Sequence, residues 1–493
     1  MTLKGLIKDM EILQSSADTG MEIEGLSYDS RQVRPGYLFI AVSGLLHDGC
    51  DFIPDAIKRG ATAVVSETHQ EGLRTPREGG CGHIRVKDAR DALALISNNF
   101  YGRPSLRLTV AGVTGTNGKT TTAFLIKSVL EHSGKKTGLI GTINYQIGDL
   151  SYPATHTTPE AVEFQGLLAG MLKAGCSHVV SEVSSHALSL KRADHTRFKV
   201  AVFTNLTRDH LDFHGTMENY FSAKKRLFAE LLERGGTAVI NTDDPYGRRL
   251  KDGLMNSGVR ILTYGLEPGA DLTASDIKNS FEGLTFTIRS GADAFSVESP
   301  MIGIPNVYNI LSAAGASVAM GIGWEDIKRA VRQTGHAKGR FEKIDSGMGF
   351  ICVVDYAHTE DALRRLITTA RELTKGRVIT VFGCGGDRDR GKRPAMGSVA
   401  TELSDIAFIT SDNPRGEDPM GIIREIEAGI SEKNYKVVSD RREAIRLAVM
   451  EATPQDIVLI AGKGHEDYQE TAGVRLPFSD REAAEKALRQ RKN

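Results

Sequence analysis

The chain has 493 residues, with Lys plus Arg and Asp plus Glu balanced at 62 each. That balance excludes a protein drawn to nucleic acid or to a membrane surface by net charge and points to small-molecule chemistry. With 40% hydrophobic residues and no apolar run near the ~18 residues of a membrane span, the sequence predicts sizeable cores, about three domains and no membrane insertion.

The opening MTLKGLIKDMEILQ places Lys8, Asp9 and Glu11 where a secretory signal needs an unbroken apolar stretch, so the expected compartment is the cytoplasm. Residues 1–104 hold two short strand-like runs, GYLFIAVSG and ATAVVSE, around a helix-like DFIPDAIKRG. They read as a small N-terminal α/β domain. Residues 105–337 begin with RLTVAGVTGTNGKTT and add strand-like runs at HVVSEVSS, KVAVFTN and GTAVIN between amphipathic segments, the rhythm of a parallel sheet covered by helices on both faces. Within them, Leu272 to Val297 alternates polar and apolar residues, which predicts an antiparallel patch. Residues 338–493 repeat the beat in FICVVDYAH, RVITVFGCGGD, DIAFITSDNP and DIVLIAGKGHE. Each run ends in polar or glycine residues, and ligands of open α/β sheets gather beyond the carboxyl ends of the strands. The five cysteines, Cys50, Cys81, Cys176, Cys352 and Cys384, stand singly without a CxxC pair, so they are expected as small core residues.

The strongest local signal is GVTGTNGKTT, Gly112 to Thr121, between a strand and a helix whose apolar face is Leu125, Ile126, Val129 and Leu130. A phosphate loop requires that context. Thr114, Gly115, Thr116, Asn117 and Gly118 would turn backbone N–H groups onto phosphates, Lys119 would meet the β and γ oxygens, and Thr120 would offer its hydroxyl to Mg²⁺. Val113 stands where the strict pattern has its first glycine; a glycine-rich turn is the bland alternative. Downstream, Glu182 in SEVSSHALSLKR and His210 in TNLTRDHLDFHG follow strand-like runs and could reach the nucleotide's metal. Mg²⁺ prefers oxygen, so His210 is the less expected ligand, and either residue could merely pack at a strand end. NYFSAKKRLFAELL reads as a helix with Tyr220, Phe221, Leu227 and Phe228 packing inward, in which Lys224 and Lys225 would ordinarily be a solvated pair.

GVTGTNGKTT, EVSSHAL, TNLTRDHLDFHG, YFSAKKRLF, GRFE, DYAHTEDAL, GGDRDRGKRP, DNPRGEDP and GKGHEDYQ, in this order and with DSRQVRPGYLFIAVSG before them, span essentially the whole chain. Together they closely resemble the Mur ligases of peptidoglycan assembly, in the branch that adds the third residue to UDP-N-acetylmuramoyl-L-alanyl-D-glutamate. The resemblance implies three α/β domains: a UDP-muramoyl substrate domain, a central P-loop ATPase and a Rossmann-like C-terminal domain that brings the amino acid. It implies an ADP-forming ligase that activates the γ-carboxyl of D-glutamate as an acyl phosphate, with Lys119, Glu182, His210 and Lys224 as catalytic residues. Thr120, Glu182, His210 and Lys224 would hold Mg²⁺, with Lys224 carbamoylated by CO₂. Ser30, Thr157, Thr158, Ser184 and Arg192 match residues that hold the UDP-dipeptide, and Asn309, Arg340 and Asp355 match nucleotide or hinge contacts. Pro305 departs from the aromatic residue the family usually shows before NVYN.

The family's branches differ in taking meso-diaminopimelate or L-lysine, which differ by one distal carboxylate. A planar guanidinium receives a carboxylate bidentately, so Arg415 in DNPR is the expected reader of meso-diaminopimelate, beside Asp412, Asn413 and Pro414. Arg388 would take the α-carboxylate, and Gly462 and Glu466 would accept from an ammonium. The same reaction with L-lysine is the nearest alternative. A folylpolyglutamate-synthetase-type ligase shares the P-loop but would not carry DNPR or DSRQVRPG, and a regulatory P-loop ATPase would leave the third block without purpose. Small-molecule substrates, no nucleic acid and a monomer complete the expectation.

Overall fold

The computed structural model describes residues 1–44, 47–68 and 80–492. Its strands form a five-stranded, an eleven-stranded and a six-stranded sheet, with a two-stranded hairpin besides. Those of the three large sheets fall within residues 12–86, 109–299 and 342–461. All five cysteines are free, and only Cys50 is less than fully buried. Among the described residues no helix is long and apolar enough to cross a membrane.

In the first sheet the runs Tyr37–Ile40 and Ala61–Ser66 lie side by side and parallel, while the helix expected around DFIPDAIKRG contracts to Ile53–Lys58, with proline in its first turn where its missing N–H costs nothing. The sheet docks on the central region through polar contacts. Lys191 Nζ lies 2.8 Å from Asp88 Oδ2, and Tyr28 Oη donates to Glu163 Oε1 at 3.1 Å.

The eleven-stranded sheet sets the strand Thr109–Thr114 between His178–Glu182 and Phe198–Phe203, parallel to both. Val113 pairs with Glu182 and Thr114 with Phe203, so three strand ends come level at one edge. Val113 is fully buried in its strand, which explains why a β-branched residue can stand where other phosphate loops have glycine. Helices Lys119–His132 and Ile304–Ala319 cover one face, and Ala161–Lys173 and Met217–Arg226 the other. Tyr220, Phe221, Leu227 and Phe228 all pack into the latter core. Pro305 falls in the first turn of Ile304–Ala319, so the departure from an aromatic starts a helix rather than disturbing one. Leu272–Ser280, Gly283–Ser290 and Asp293–Ser299 form the antiparallel patch at the far edge.

Asp244, just beyond strand Leu232–Asn241, couples helix Pro245–Leu254 to the loop beyond Phe203. Its Oδ1 accepts from the N–H groups of Tyr246 and Gly247 at 2.9 and 3.1 Å, capping helix Pro245–Leu254, and its Oδ2 accepts from Leu206 N at 3.0 Å. An Asp244→Ala variant is expected to lose about 1–2 kcal/mol of stability, read as a lower urea midpoint at unchanged slope; an unmoved midpoint would refute the capping role.

In the six-stranded sheet Val378–Phe382 and Ile457–Ala461 are buried along their whole length, as near-continuous apolar runs require of central parallel strands. Ile457–Ala461, the last of these strands in sequence, inserts between Ile351–Asp355 and Val378–Phe382. Helices Glu360–Leu373, Lys392–Leu403 and Pro419–Glu427 pack on one face, and Arg441–Glu451 and Asp480–Lys492 on the other. Two buried arginines bolt the loops beyond the carboxyl ends. Arg441, fully buried, pairs with buried Asp480 at 2.7 Å and donates to the carbonyls of Ala461 and Ser411 at 2.9 and 3.3 Å. Arg393 joins Glu417 and Glu425 at 2.8 and 2.7 Å and the Gly385 carbonyl at 3.2 Å. Its hydrogen bonds pull the Glu417 carboxyl down to about 2. Pairing of this kind keeps a buried charge tolerable and fixes the loops at 385 and 415 against each other.

Candidate active site

At the level edge of the central sheet the chain leaves Thr114 through Gly115 and Gly118, with φ of 147° and 87°. A Cβ at Gly115 would lie 1.8 Å from Thr204 Oγ1, and one at Gly118 2.5 Å from Asn309 Oδ1, so space and torsion both demand glycine. Gly118 precedes helix Lys119–His132, whose first N–H groups and dipole favour an anion. Lys119 Nζ donates to the carbonyls of Gly115 and Thr116 at 3.0 and 2.9 Å. Thr120 Oγ1 donates to Glu182 Oε2 at 3.0 Å, and Glu182, 1% exposed, also accepts from the N–H and hydroxyl of Thr142 at 2.8 and 2.9 Å. Arg340 reaches from the linker to Thr120 Oγ1 at 3.3 Å and stacks 4.6 Å over Tyr356. Thr116 to Thr120, Asn309, Arg340 and Asp355 line one cavity of about 270 Å³, whose walls do not include Thr114 or Gly115. Both oxygens of Asp355 are taken by backbone N–H groups, from Phe341 at 2.6 Å and Ala357 at 2.8 Å. Each oxygen spends one acceptor position in this way, which ties Phe341 to Ala357 and leaves a lone pair open on both.

Glu182 and His210 approach from opposite sides of the P-loop strand. His210 adopts φ 54° ahead of the turn Leu211–His214, and burial pushes its pKa down to about 3, leaving a neutral imidazole. Lys224 is 2% exposed; its Nζ donates to the Gly115 carbonyl at 2.8 Å and lies 4.7 Å over the Tyr220 ring. Burial, and then the charge of Lys119, hold its pKa well below the ordinary range, so the solvated pair ordinarily expected of Lys224 and Lys225 is not what the fold makes. Among the described residues no group of three His, Cys, Asp or Glu side chains forms a ready metal cage. The Thr120 hydroxyl, the Glu182 carboxylate and neutral His210 fit a Mg²⁺ that keeps water and phosphate oxygens in its remaining positions.

Thr158 Oγ1 donates to the Glu182 carbonyl at 2.9 Å and accepts from Ser184 N at 3.1 Å, and Arg192 donates to the Thr158 carbonyl at 3.2 Å. Thr157 and Ser184 line the P-loop cavity. Ser30 does not join them: it is buried in the 3₁₀ turn Ser30–Gln32, bonded to Asp55, and lines neither cavity of the site.

A second cavity, of about 880 Å³, opens beyond the six-stranded sheet and includes Arg388, Asp412, Asn413, Arg415, Gly462 and Glu466 in its walls. It shares Thr142, Thr157, Asp209, His210, Tyr356 and His358 with the first. Pro414 lines a neighbouring cavity, with Ser439, Arg441 and Arg442. Arg415 has φ 51°, and its Nη1 donates to the Gly386 carbonyl at 2.7 Å. Asn413 donates to Glu466 Oε2 at 2.8 Å and accepts from Lys463 Nζ at 2.9 Å, and Lys463, fully buried, also meets Glu466 Oε2 at 2.8 Å. Gly462, at φ 120°, sits so close to Asp412 that a Cβ would lie 2.7 Å from Asp412 Oδ2. Sequence reasoning missed Asp209, His358, Lys392 and Lys463. Asp209 lies within 3.3 to 3.9 Å of His210, His358 and Lys392, and all four stand inside quoted motifs, DHLD, DYAH, GKRP and GKGHE, the only signal that could have found them.

Three family profiles match the chain: "Mur ligase family, catalytic domain" over residues 22–101, "Mur ligase middle domain" over 113–317 and "Mur ligase, glutamate ligase domain" over 339–464. A UDP-N-acetylmuramoyl-L-alanyl-D-glutamate--2,6-diaminopimelate ligase of Solibacter usitatus is 48% identical over 95% of this chain and 94% of its own. One of Geobacter metallireducens is 44% identical over 99% of both. A solved structure of an enzyme of that name superposes with a TM-score of 0.70 at 34% identity, covering 100% of this chain and 99% of the other.

Proposed function

The chain belongs to the Mur ligase family, and from that premise we propose that it is an ATP-dependent amide ligase of cytoplasmic peptidoglycan precursor synthesis. It joins meso-diaminopimelate to the D-glutamate γ-carboxyl of UDP-N-acetylmuramoyl-L-alanyl-D-glutamate. The observation that carries the reading is the meeting of two cavities on one shared wall: a phosphate loop heads the first, and Arg388, Arg415 and Glu466 face the second. Residues 1–104 would take the UDP-muramoyl end, 105–337 ATP and 338–493 the amino acid.

A carboxylate resists an amine until one oxygen becomes a leaving group. ATP supplies that group by passing its γ-phosphoryl to the γ-carboxylate, and the amine then displaces phosphate from the acyl phosphate. Two anions must be held together for the first step. Lys119, already aligned on the loop carbonyls, provides fixed positive charge, and the helix N-terminus behind it provides more. Thr120, Glu182 and His210 would hold a Mg²⁺, which would supply further positive charge to the phosphates. The neutral Lys224 amine is the form that attacks CO₂: an N–C bond forms as a C=O pair moves to oxygen, a proton leaves the nitrogen, and the resulting anion would be able to hold a second Mg²⁺. In the amino-acid cavity Lys463 and Asn413 aim Glu466 through its Oε2, with Glu466 Oε1 left for a substrate ammonium.

The test is direct. With ATP, Mg²⁺ and the UDP-dipeptide, phosphate release should require meso-diaminopimelate and yield the joined tripeptide, while L-lysine gives little product; equal release without any amino acid would sink the ligase reading. A Lys463→Met variant is expected to weaken amino-acid binding by about 1–2 kcal/mol, because Glu466 loses a buried partner, and to leave the KM for ATP unchanged; an unaltered amino-acid KM would reject that role.

A further inference from the structure

We propose that His358 is the general base that removes the proton from the incoming ammonium of the amino acid. The inference rests on the ligase reading above. His358 precedes helix Glu360–Leu373 and is one of six residues shared by the P-loop cavity and the amino-acid cavity, the place where activated carboxyl and amine must meet. Its Nδ1 lies 2.8 Å from the Tyr356 carbonyl oxygen. A carbonyl only accepts, so Nδ1 carries the hydrogen, and in the neutral ring Nε2 presents a lone pair. That Nε2 lies 3.8 Å from Asp209 Oδ2, a buried carboxylate placed to stabilise the imidazolium that proton transfer creates. The side chain is 37% exposed, open to the cavities rather than packed in a core. Other groups at the junction do not serve. His210 Nε2 is already 3.3 Å from the same Asp209 oxygen and belongs with the metal ligands, Lys392 is a cation, and Tyr356 has its phenol pKa raised by burial.

The step balances without a further reagent. Nε2 takes one ammonium proton, the freed electron pair on nitrogen forms the C–N bond as the carbonyl π pair moves to oxygen, and the tetrahedral intermediate collapses with cleavage of the C–O bond to phosphate while the second nitrogen proton leaves with that phosphate. The proton on His358 then passes to the departing phosphate or to water.

Hydroxylamine separates this role from any other, since it is already unprotonated at neutral pH and captures an acyl phosphate without a base. A His358→Gln variant should form the amide with meso-diaminopimelate about 10²- to 10³-fold more slowly, yet form the hydroxamate of the UDP-dipeptide from ATP and hydroxylamine within about twofold of the parent. A His358→Ala variant should regain part of its amide formation with added imidazole. Equal loss of amide and hydroxamate at an unchanged thermal midpoint would overturn the proposal in favour of a phosphate-holding residue, and undiminished amide formation would overturn it outright. Should the parent itself form neither product, the ligase reading fails instead, so the two failures are distinguishable.

Discussion

Replacing Lys224 by methionine is expected to lower kcat about 10³-fold while leaving the protein folded, with a thermal midpoint at or above that of the parent. Removal of one anionic metal ligand withdraws several kcal/mol of transition-state stabilisation, and 10³-fold corresponds to about 4 kcal/mol at 1.36 kcal/mol per tenfold. The fold should survive because Lys224 is fully enclosed, its amine bonded to the Gly115 carbonyl, which keeps Lys119 as a second donor. A buried amine exchanged for an apolar side chain of similar shape is neutral or stabilising. The chemistry has a definite sign: burial lowers the Lys224 pKa, so the neutral amine is favoured, and only the neutral amine captures CO₂. Parent protein in ¹³C-labelled bicarbonate should therefore show a carbamate carbon resonance that Lys224→Met lacks, and Lys224→Arg should not restore activity, since a guanidinium does not form the carbamate. Activity within tenfold of the parent for Lys224→Met would sink the assignment.

Some of this site was legible because its residues obey local rules. The P-loop announces itself through glycines that neither torsion nor space allows to be otherwise, and a strand and helix on either side; the period of apolar runs likewise marked the four strands of residues 338–493 whose ends carry polar loops. What the sequence could not display is pairing across strands. Strand Ile457–Ala461 is late in the chain yet central in its sheet, and that insertion is what brings Lys463 and Glu466 beside Asn413. Nothing local distinguishes Lys463 from a solvated lysine until its burial is known. Asp209 was passed over for the histidine beside it, although three charged or titratable neighbours, His210, His358 and Lys392, converge on a carboxylate only the fold buries. Ser30 and Pro414 rest on motif membership alone: neither lines the P-loop cavity or the amino-acid cavity.

On the proposed reading Arg415 selects the amino acid, and its alanine variant should lose about 30- to 4,000-fold in kcat/KM for meso-diaminopimelate with the KM for ATP unmoved. The range is the 2–5 kcal/mol attached to truncating one partner of a buried charge pair, at 1.4 kcal/mol per tenfold. Arg415 spends one donor on the Gly386 carbonyl at 2.7 Å, and a guanidinium has five, so a planar pair of N–H groups remains for a distal carboxylate. Its aim is not free: the main chain is pinned through Arg415 N to the Glu470 carbonyl at 3.0 Å, and Arg393 holds the adjoining loops through Glu417 and Gly385. Alanine would suffer little from the φ of 51° that arginine already bears, so the loss should be one of recognition rather than of fold. Lysine at 415 should recover only part of it, since an ammonium is a point charge without bidentate geometry. The decisive comparison is with L-lysine as acceptor, whose distal end is an ammonium. Removing a guanidinium from its path should leave that weak reaction unchanged or faster, and a variant equally impaired with both amino acids would show that Arg415 supports the loop rather than reads the substrate.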